Sequence, residues 1–256
     1  MTDSDFNAFM RLFRSYFRHI CSTSRKQSLL ARIYGVYSVK MGSQKPVKMV
    51  VMGNTMRVQN GKMIRGVFDL KGSMVNRFVP GGPHKPTATL KDKNLINVCR
   101  ENIYLRFKVK DIRQINDRLR EDATLLRMFN LMDYSVLLCI EENPNPTKKT
   151  SYELGEEFAK RKAETMASGD EGFGQVRHQF ISECGKWIYH LSVIDYLQDF
   201  NLEKRMESFI KISKASKENA KLISASHPDL YATRFINFMK DTVVINQTQG
   251  ANKDKV

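Results

Sequence analysis

The sequence has no CxxC pair, no cysteine with a histidine at metal-ligand spacing, and no apolar run long enough to span a bilayer. Cys21, Cys99, Cys139 and Cys184 lie far apart. That spacing excludes a zinc finger or a disulfide framework and predicts buried or free thiols in a reducing compartment. His19, His84, His178, His190 and His227 are equally scattered and read as structural. Asp, Arg and His interrupt the N-terminal stretch, so it holds no secretory h-region. There is no RNP motif, no basic-region heptad, no internal repeat and no GxxxxGK[ST] loop. Nucleic-acid binding therefore gains no specific support. Gly169, Gly172 and Gly174 cluster, but their order and acidic setting do not match GxGxxG, and they are assigned no phosphate role.

What the chain does have is charge and a core. Its 256 residues are 41% apolar, enough for one large domain or two small ones and too many for global disorder. The net charge is +15 and the pI about 9.7. A domain this basic points to an anionic partner: nucleic acid, an anionic membrane face or a phosphorylated substrate.

Apolar spacing predicts the elements. Phe6, Phe9, Met10, Phe13, Phe17 and Ile20 recur at three and four, giving an amphipathic helix over 5–20 with Thr2 to Ser4 as caps. Residues 33–41 and 47–52 are β-rich and separated by Gly42 to Pro46, a hairpin signature. Asn60-Gly61 is a second turn, leading to a strand over 63–70. Residues 79–86 are irregular, 107–130 helical, 135–140 a strand, 141–174 a polar loop or insertion, and 187–196 a strand. A basic segment covers 204–221, and a last helix over 229–244 is introduced by His227-Pro228.

Chemistry concentrates in Phe68–Arg77, FDLKGSMVNR. The plainer reading is a strand with polar residues on one face, closed by a Gly-Ser turn. The sharper one is phosphate chemistry. Gly72 allows close backbone approach, Lys71 is a point charge, and Arg77 offers a planar fork. Asp133 stands where the long helix meets an apolar strand, and Asp195 ends another strand. Singly, each reads as a turn or strand-terminal aspartate. Together with Asp69, Lys71 and Arg77 they supply what phosphoryl transfer needs, carboxylates for magnesium and cations for the moving phosphate, if the strands bring them together.

FDLKGS at 68–73, MDYSVLL at 132–138 and VIDYLQ at 193–198 closely resemble the signature blocks of the phosphatidylinositol phosphate kinases. LLARIYGVY at 29–37, VVMGN at 50–54, TLKD at 89–92 and HPDLYATRF at 227–235 resemble flanking blocks of the same family, in its order. The resemblance implies a two-lobed α+β kinase-like fold with antiparallel sheets. Residues 1–130 would form a partial N-lobe with connecting helices. Residues 131–256 would form a smaller C-lobe, with an activation loop over 196–226.

It also implies roles. Asp133 would orient the inositol hydroxyl or assist magnesium, and Asp195 would be the main magnesium ligand. Lys71 would contact the transferred phosphate, Arg77 the headgroup phosphomonoester, and Asp69 would hold Lys71. In the loop, Lys204, Arg205 and Lys211 would meet the anionic headgroup. Glu207 stands where the type I, phosphatidylinositol-4-phosphate 5-kinase, branch carries glutamate. The expected reaction is transfer of the ATP γ-phosphate to phosphatidylinositol 4-phosphate, with Mg²⁺, on the cytosolic face of a membrane such as the plasma membrane. No glycine loop or strand lysine for ATP precedes the helix over 5–20. That departure raises two expectations: a fragment or truncated chain, or a natural protein lacking half its nucleotide clamp. It keeps open an inactive phosphoinositide-binding module, beside a generic basic RNA-binding protein that explains only the charge.

Overall fold

The computed structural model describes residues 1–21, 28–56, 58, 61–81, 88–101, 105–146, 178–200 and 227–244. Helix α1 runs Asp3–Cys21. Its start is a reciprocal cap: the Asp5 amide donates to Thr2 Oγ1 at 3.1 Å, and the Thr2 amide donates to Asp5 Oδ2 at 2.8 Å. The helix is apolar around much of its circumference, and the buried face is Ala8, Phe9, Leu12 and Tyr16. Met10, Phe13 and Phe17, expected inside, are exposed. The polar tip of Tyr16 decides the rotation. Its hydroxyl accepts from the Ile33 amide at 2.7 Å, and its ring stacks on Tyr196.

Strands β1 (Ile33–Val39) and β2 (Val47–Met52) form the expected antiparallel hairpin. A single 3₁₀ turn then leads into β3 (Ile64–Leu70). β3 lies inside a five-stranded sheet with β4 (Thr89–Lys91), β6 (Ser135–Glu142), β7 (Gln179–Ile181) and β8 (Trp187–Ile194), in the order β4-β3-β6-β8-β7. Only the β3–β4 pair is parallel within it. Two-residue strands β5 (Leu131–Met132) and β9 (Gln198–Asp199) pair separately.

The sheet joins the two expected parts of the chain. β3 is hydrogen-bonded along its length to β6, so a boundary near residue 130 would cut through the ladder. Residues 64–70 belong with the strands that carry the later blocks, and among the described strands the β1–β2 hairpin and the β5–β9 pair lie outside this sheet.

Period-two alternation gives the sheet unlike faces. Phe68, Leu70, Val136, Leu138, Ile140, Tyr189, Leu191 and Val193 line the buried apolar side. The other side carries Asp69, Cys139, Glu141, His190 and Ser192, with His190 paired to Glu141 at 2.8 Å in full burial. Helix α2 (Asp92–Glu101) follows β4 without a break, and neither element is marked by periodicity. Helices α3 (Val109–Met128) and α4 (Pro228–Phe238) pack together and add Ile115, Leu119, Leu126, Tyr231 and Phe235 to the core. α4 continues into a π turn over Met239–Val243.

Candidate active site

Three segments converge because of how the short strands pair. β6 and β8 are in register to their ends, with Ser135 opposite Ile194, and β5 faces β9 with Met132 opposite Gln198. Asp133 and Asp195 are thereby held across from each other, between two ladders. Both sit in the left-handed backbone region, Asp133 at φ 64° and Asp195 at φ 58°, which turns each chain out of its strand. β3 pairs Leu70 with Val136, so Lys71 emerges beside the same gap.

The contacts follow. Lys71 Nζ lies 2.8 Å from Asp133 Oδ1. Burial pushes the Asp195 carboxyl above the usual carboxylate range; Lys71 pulls it down, and the negative charges of Asp69 and Asp133 push it up. One ammonium and three carboxylates therefore share one electrostatic neighbourhood, in which a further cation is favourable.

Gly72, at φ 66°, gives the turn its shape. A Cβ there would stand 3.0 Å from Phe238 Cβ and 3.2 Å from the Arg234 carbonyl oxygen. The close approach of α4 requires glycine at this position.

Arg77 and Asp69 are placed differently from expectation. Asp69 pairs with Arg77 at 2.8 Å, and Lys71 pairs with Asp133. The Arg77 side chain is only 9% exposed and also bonds Asp92 through Nε at 2.6 Å. Burial lowers its pKa, but Asp92 and Asp69 outweigh that and the net shift is upward. The fork expected to face a headgroup instead faces two internal carboxylates, because β3 and the start of α2 leave Asp69 and Asp92 on either side of it.

Asp92 is the residue that spacing did not reveal. It has no exposed side chain, and it accepts from the Lys71 amide at 3.0 Å, the Gly72 amide at 2.8 Å and Arg77. Its only signal in the sequence is its place at the end of TLKD. Lys204, Arg205, Glu207 and Lys211 lie outside the described residues, as do residues 201–226 of the expected activation loop.

Among the described residues no three His, Cys, Asp or Glu side chains form a ready metal cage. Magnesium does not demand one, since it takes one or two protein carboxylates and completes its shell with phosphate oxygens and water. Asp195 and Asp133, hard donors in a site with surplus negative charge, fit that pattern.

Comparison with known proteins agrees with the geometry. The family model described as phosphatidylinositol-4-phosphate 5-kinase matches residues 1–242. Phosphatidylinositol 4-phosphate 5-kinase 1 of Arabidopsis thaliana is 27% identical over 92% of this chain and 36% of its own length. Phosphatidylinositol 4-phosphate 5-kinase type-1 beta of Rattus norvegicus is 26% identical over 91% of this chain and 46% of its own. A putative 1-phosphatidylinositol 3-phosphate 5-kinase of Drosophila melanogaster is 27% identical over 93% of this chain and 11% of its own. The chain thus spans less than half the length of these relatives. With its signature blocks gathered around one gap and a family match covering almost all of it, the chain belongs to the phosphatidylinositol-4-phosphate 5-kinase family.

Proposed function

We propose that this chain transfers the γ-phosphate of ATP to the inositol ring of a phosphatidylinositol phosphate, with phosphatidylinositol 4-phosphate as the preferred substrate. The observation that carries the reading is the Lys71–Asp133 contact at 2.8 Å, in the same electrostatic neighbourhood as Asp195. In the loose transition state of phosphoryl transfer, charge spreads over the equatorial oxygens and catalysis is mostly positioning and neutralisation. Lys71 supplies a fixed positive charge for the moving phosphoryl group. Asp133 accepts from the attacking inositol hydroxyl and orients it. Asp195, assisted by Asp133, would hold Mg²⁺, which would supply positive charge to neutralise the phosphate oxygens. The turn at Lys71-Gly72 fixes these groups before substrate arrives, so little reorganisation is needed during the step.

Charge supports a membrane as the place of reaction. From Phe6 to Phe68 the chain carries twelve Lys and Arg and no Asp or Glu. Lys204, Arg205, Lys211 and Glu207 complete the proposal as headgroup and specificity contacts. The cytosolic face of an anionic membrane, such as the plasma membrane, is the setting that fits a basic chain acting on such a lipid.

The test is radiolabelled ATP with vesicles containing phosphatidylinositol 4-phosphate, using wild type and Asp195→Ala. The expected result is label in the lipid with wild type and none with the variant. Absence of transfer by wild type, with vesicle binding intact, would replace the kinase reading with that of a phosphoinositide-binding module. Equal transfer to vesicles bearing the 3-phosphate or 5-phosphate isomer would remove the substrate preference.

A further inference from the structure

We propose that Asp92, backed by Arg77, is the positioning residue for Lys71. The inference rests on the kinase reading above and adds residues to it. Lys71 is a long, flexible side chain, and its aim is set by where its backbone is held. One side of its turn is fixed by α4, which approaches Gly72 so closely that a Cβ would crowd Phe238 and the Arg234 carbonyl. The other side is fixed by a single carboxylate oxygen. Asp92 Oδ1 takes both the Lys71 and the Gly72 amide, at 3.0 and 2.8 Å. Two neighbouring N–H groups on one anion form a small cradle of charge-assisted hydrogen bonds, the stronger class.

The second oxygen explains Arg77. Asp92 Oδ2 takes Arg77 Nε at 2.6 Å, and the Arg77 terminal nitrogen reaches Asp69 Oδ1 at 2.8 Å and the Asp69 carbonyl. The guanidinium therefore locks Asp92 to Asp69 near the end of β3, two residues before Lys71. Asp92 also opens α2, where the helix dipole favours a negative charge. A buried ion pair is expensive to desolvate, and a hydrophobic pair would often serve stability as well. Here the pair is wired to the backbone of Lys71, which reaches Asp133, and that gives the burial a purpose beyond stability. In this arrangement Arg77 acts through Asp92 on Lys71.

The experiment joins kinetics to amide exchange, in the whole chain. Asp92→Asn keeps the shape but sets an amide donor against Arg77. It is expected to lower kcat by about 100-fold, the scale of a misplacement near 1 Å. KM for ATP and affinity for phosphatidylinositol 4-phosphate vesicles are expected to stay within about threefold of wild type. Asp92→Ala is expected to speed hydrogen exchange at the Lys71 and Gly72 amides at least tenfold, leaving β6 and α3 protected; if Asp92→Ala does not fold, Asp92→Asn is read the same way. Arg77→Lys keeps charge but not the fork, and is expected to follow Asp92→Asn in kcat. Unchanged exchange at Lys71 and Gly72 in a folded variant would overturn the proposal. So would an Arg77→Lys protein that keeps kcat and loses vesicle affinity, because Arg77 would then be a headgroup contact. If wild type itself transfers no phosphate, the kinase reading fails, and the exchange measurement still decides whether Asp92 fixes the turn.

Discussion

His178 shows how one half-buried side chain can shape the acid stability of the whole chain. Burial pushes its imidazole down to about 4 from 6.5, and the Leu191 carbonyl and Asp122 oppose that only in part, while Arg32 and Arg118 reinforce it. Nδ1 lies 3.0 Å from the Leu191 carbonyl and 2.8 Å from Ser192 Oγ. The unfolded chain therefore binds a proton that the folded chain refuses. This contribution to stability is intact above pH 6.5 and is lost as pH falls from 6.5 towards 4. At pH near 4.5 the loss amounts to roughly 2–3 kcal/mol. His19 works in the opposite sense, raised by its hydrogen bond to Asp122 against the effect of burial, so its contribution is present at low pH and fades as pH rises through its folded value. Urea midpoints for wild type and His178→Gln at pH 7 and pH 4.5 isolate the first effect. Wild type is expected to lose more stability than the variant across that interval; parallel losses would assign the acid sensitivity elsewhere.

At the scale of elements, α1 is tied to both parts of the site by its polar side chains. Tyr16 bonds the Ile33 amide and stacks on Tyr196, the residue after Asp195, whose own hydroxyl donates to the Ala31 carbonyl. Arg11 pairs with Asp199 at 2.5 Å in β9, and His19 meets Asp122 of α3 at 2.6 Å. Tyr16→Phe keeps the ring but leaves the Ile33 amide without its acceptor, a loss of about 1–3 kcal/mol. The expected outcome is a lower urea midpoint and faster exchange at the Ile33 amide. Unchanged exchange there would show that the hydroxyl does not hold β1. The sequence made this level only partly legible. α1, the β1–β2 hairpin, α3, β6 and β8 each carry their own period and turn chemistry, so local spacing exposed them. β4 and α2 are short and follow an irregular stretch, so no window was long enough to show a period. Asp92 was hidden for the same reason: it is defined by backbone groups some twenty residues away, which leave no trace in composition. The burial of Arg77 was equally out of reach, since a guanidinium facing a ligand and one facing two internal carboxylates have the same sequence.

For the molecule as a whole, the uneven distribution of charge is the dominant fact. All but a small part of the net +15 arises between Phe6 and Phe68, where no acid dilutes the twelve cations. Each Lys or Arg close to an anionic bilayer contributes about 1 kcal/mol, and salt screens that attraction within about a Debye length. Binding to vesicles with anionic lipid is expected to weaken steeply between about 0.1 and 0.5 M NaCl. Neutral vesicles are expected to bind weakly at every salt concentration. Affinity indifferent to salt would point to apolar insertion as the main source of attachment. The hairpin offers a surface for that outcome, since Tyr37, Val47, Met49 and Val51 are exposed on one of its faces.

The left-handed backbone at Asp133 and Asp195 has a consequence for how such a chain ages in a genome. An L-residue held at positive φ costs on the order of 1 kcal/mol or more, and glycine relieves it. At both positions, then, glycine would relieve backbone strain, while the proposed phosphoryl-transfer role would forbid the replacement. On the proposed reading, a descendant released from lipid phosphorylation would be free to lose that strain at these two codons first, so the aspartates are the places where loss of catalysis would first be written.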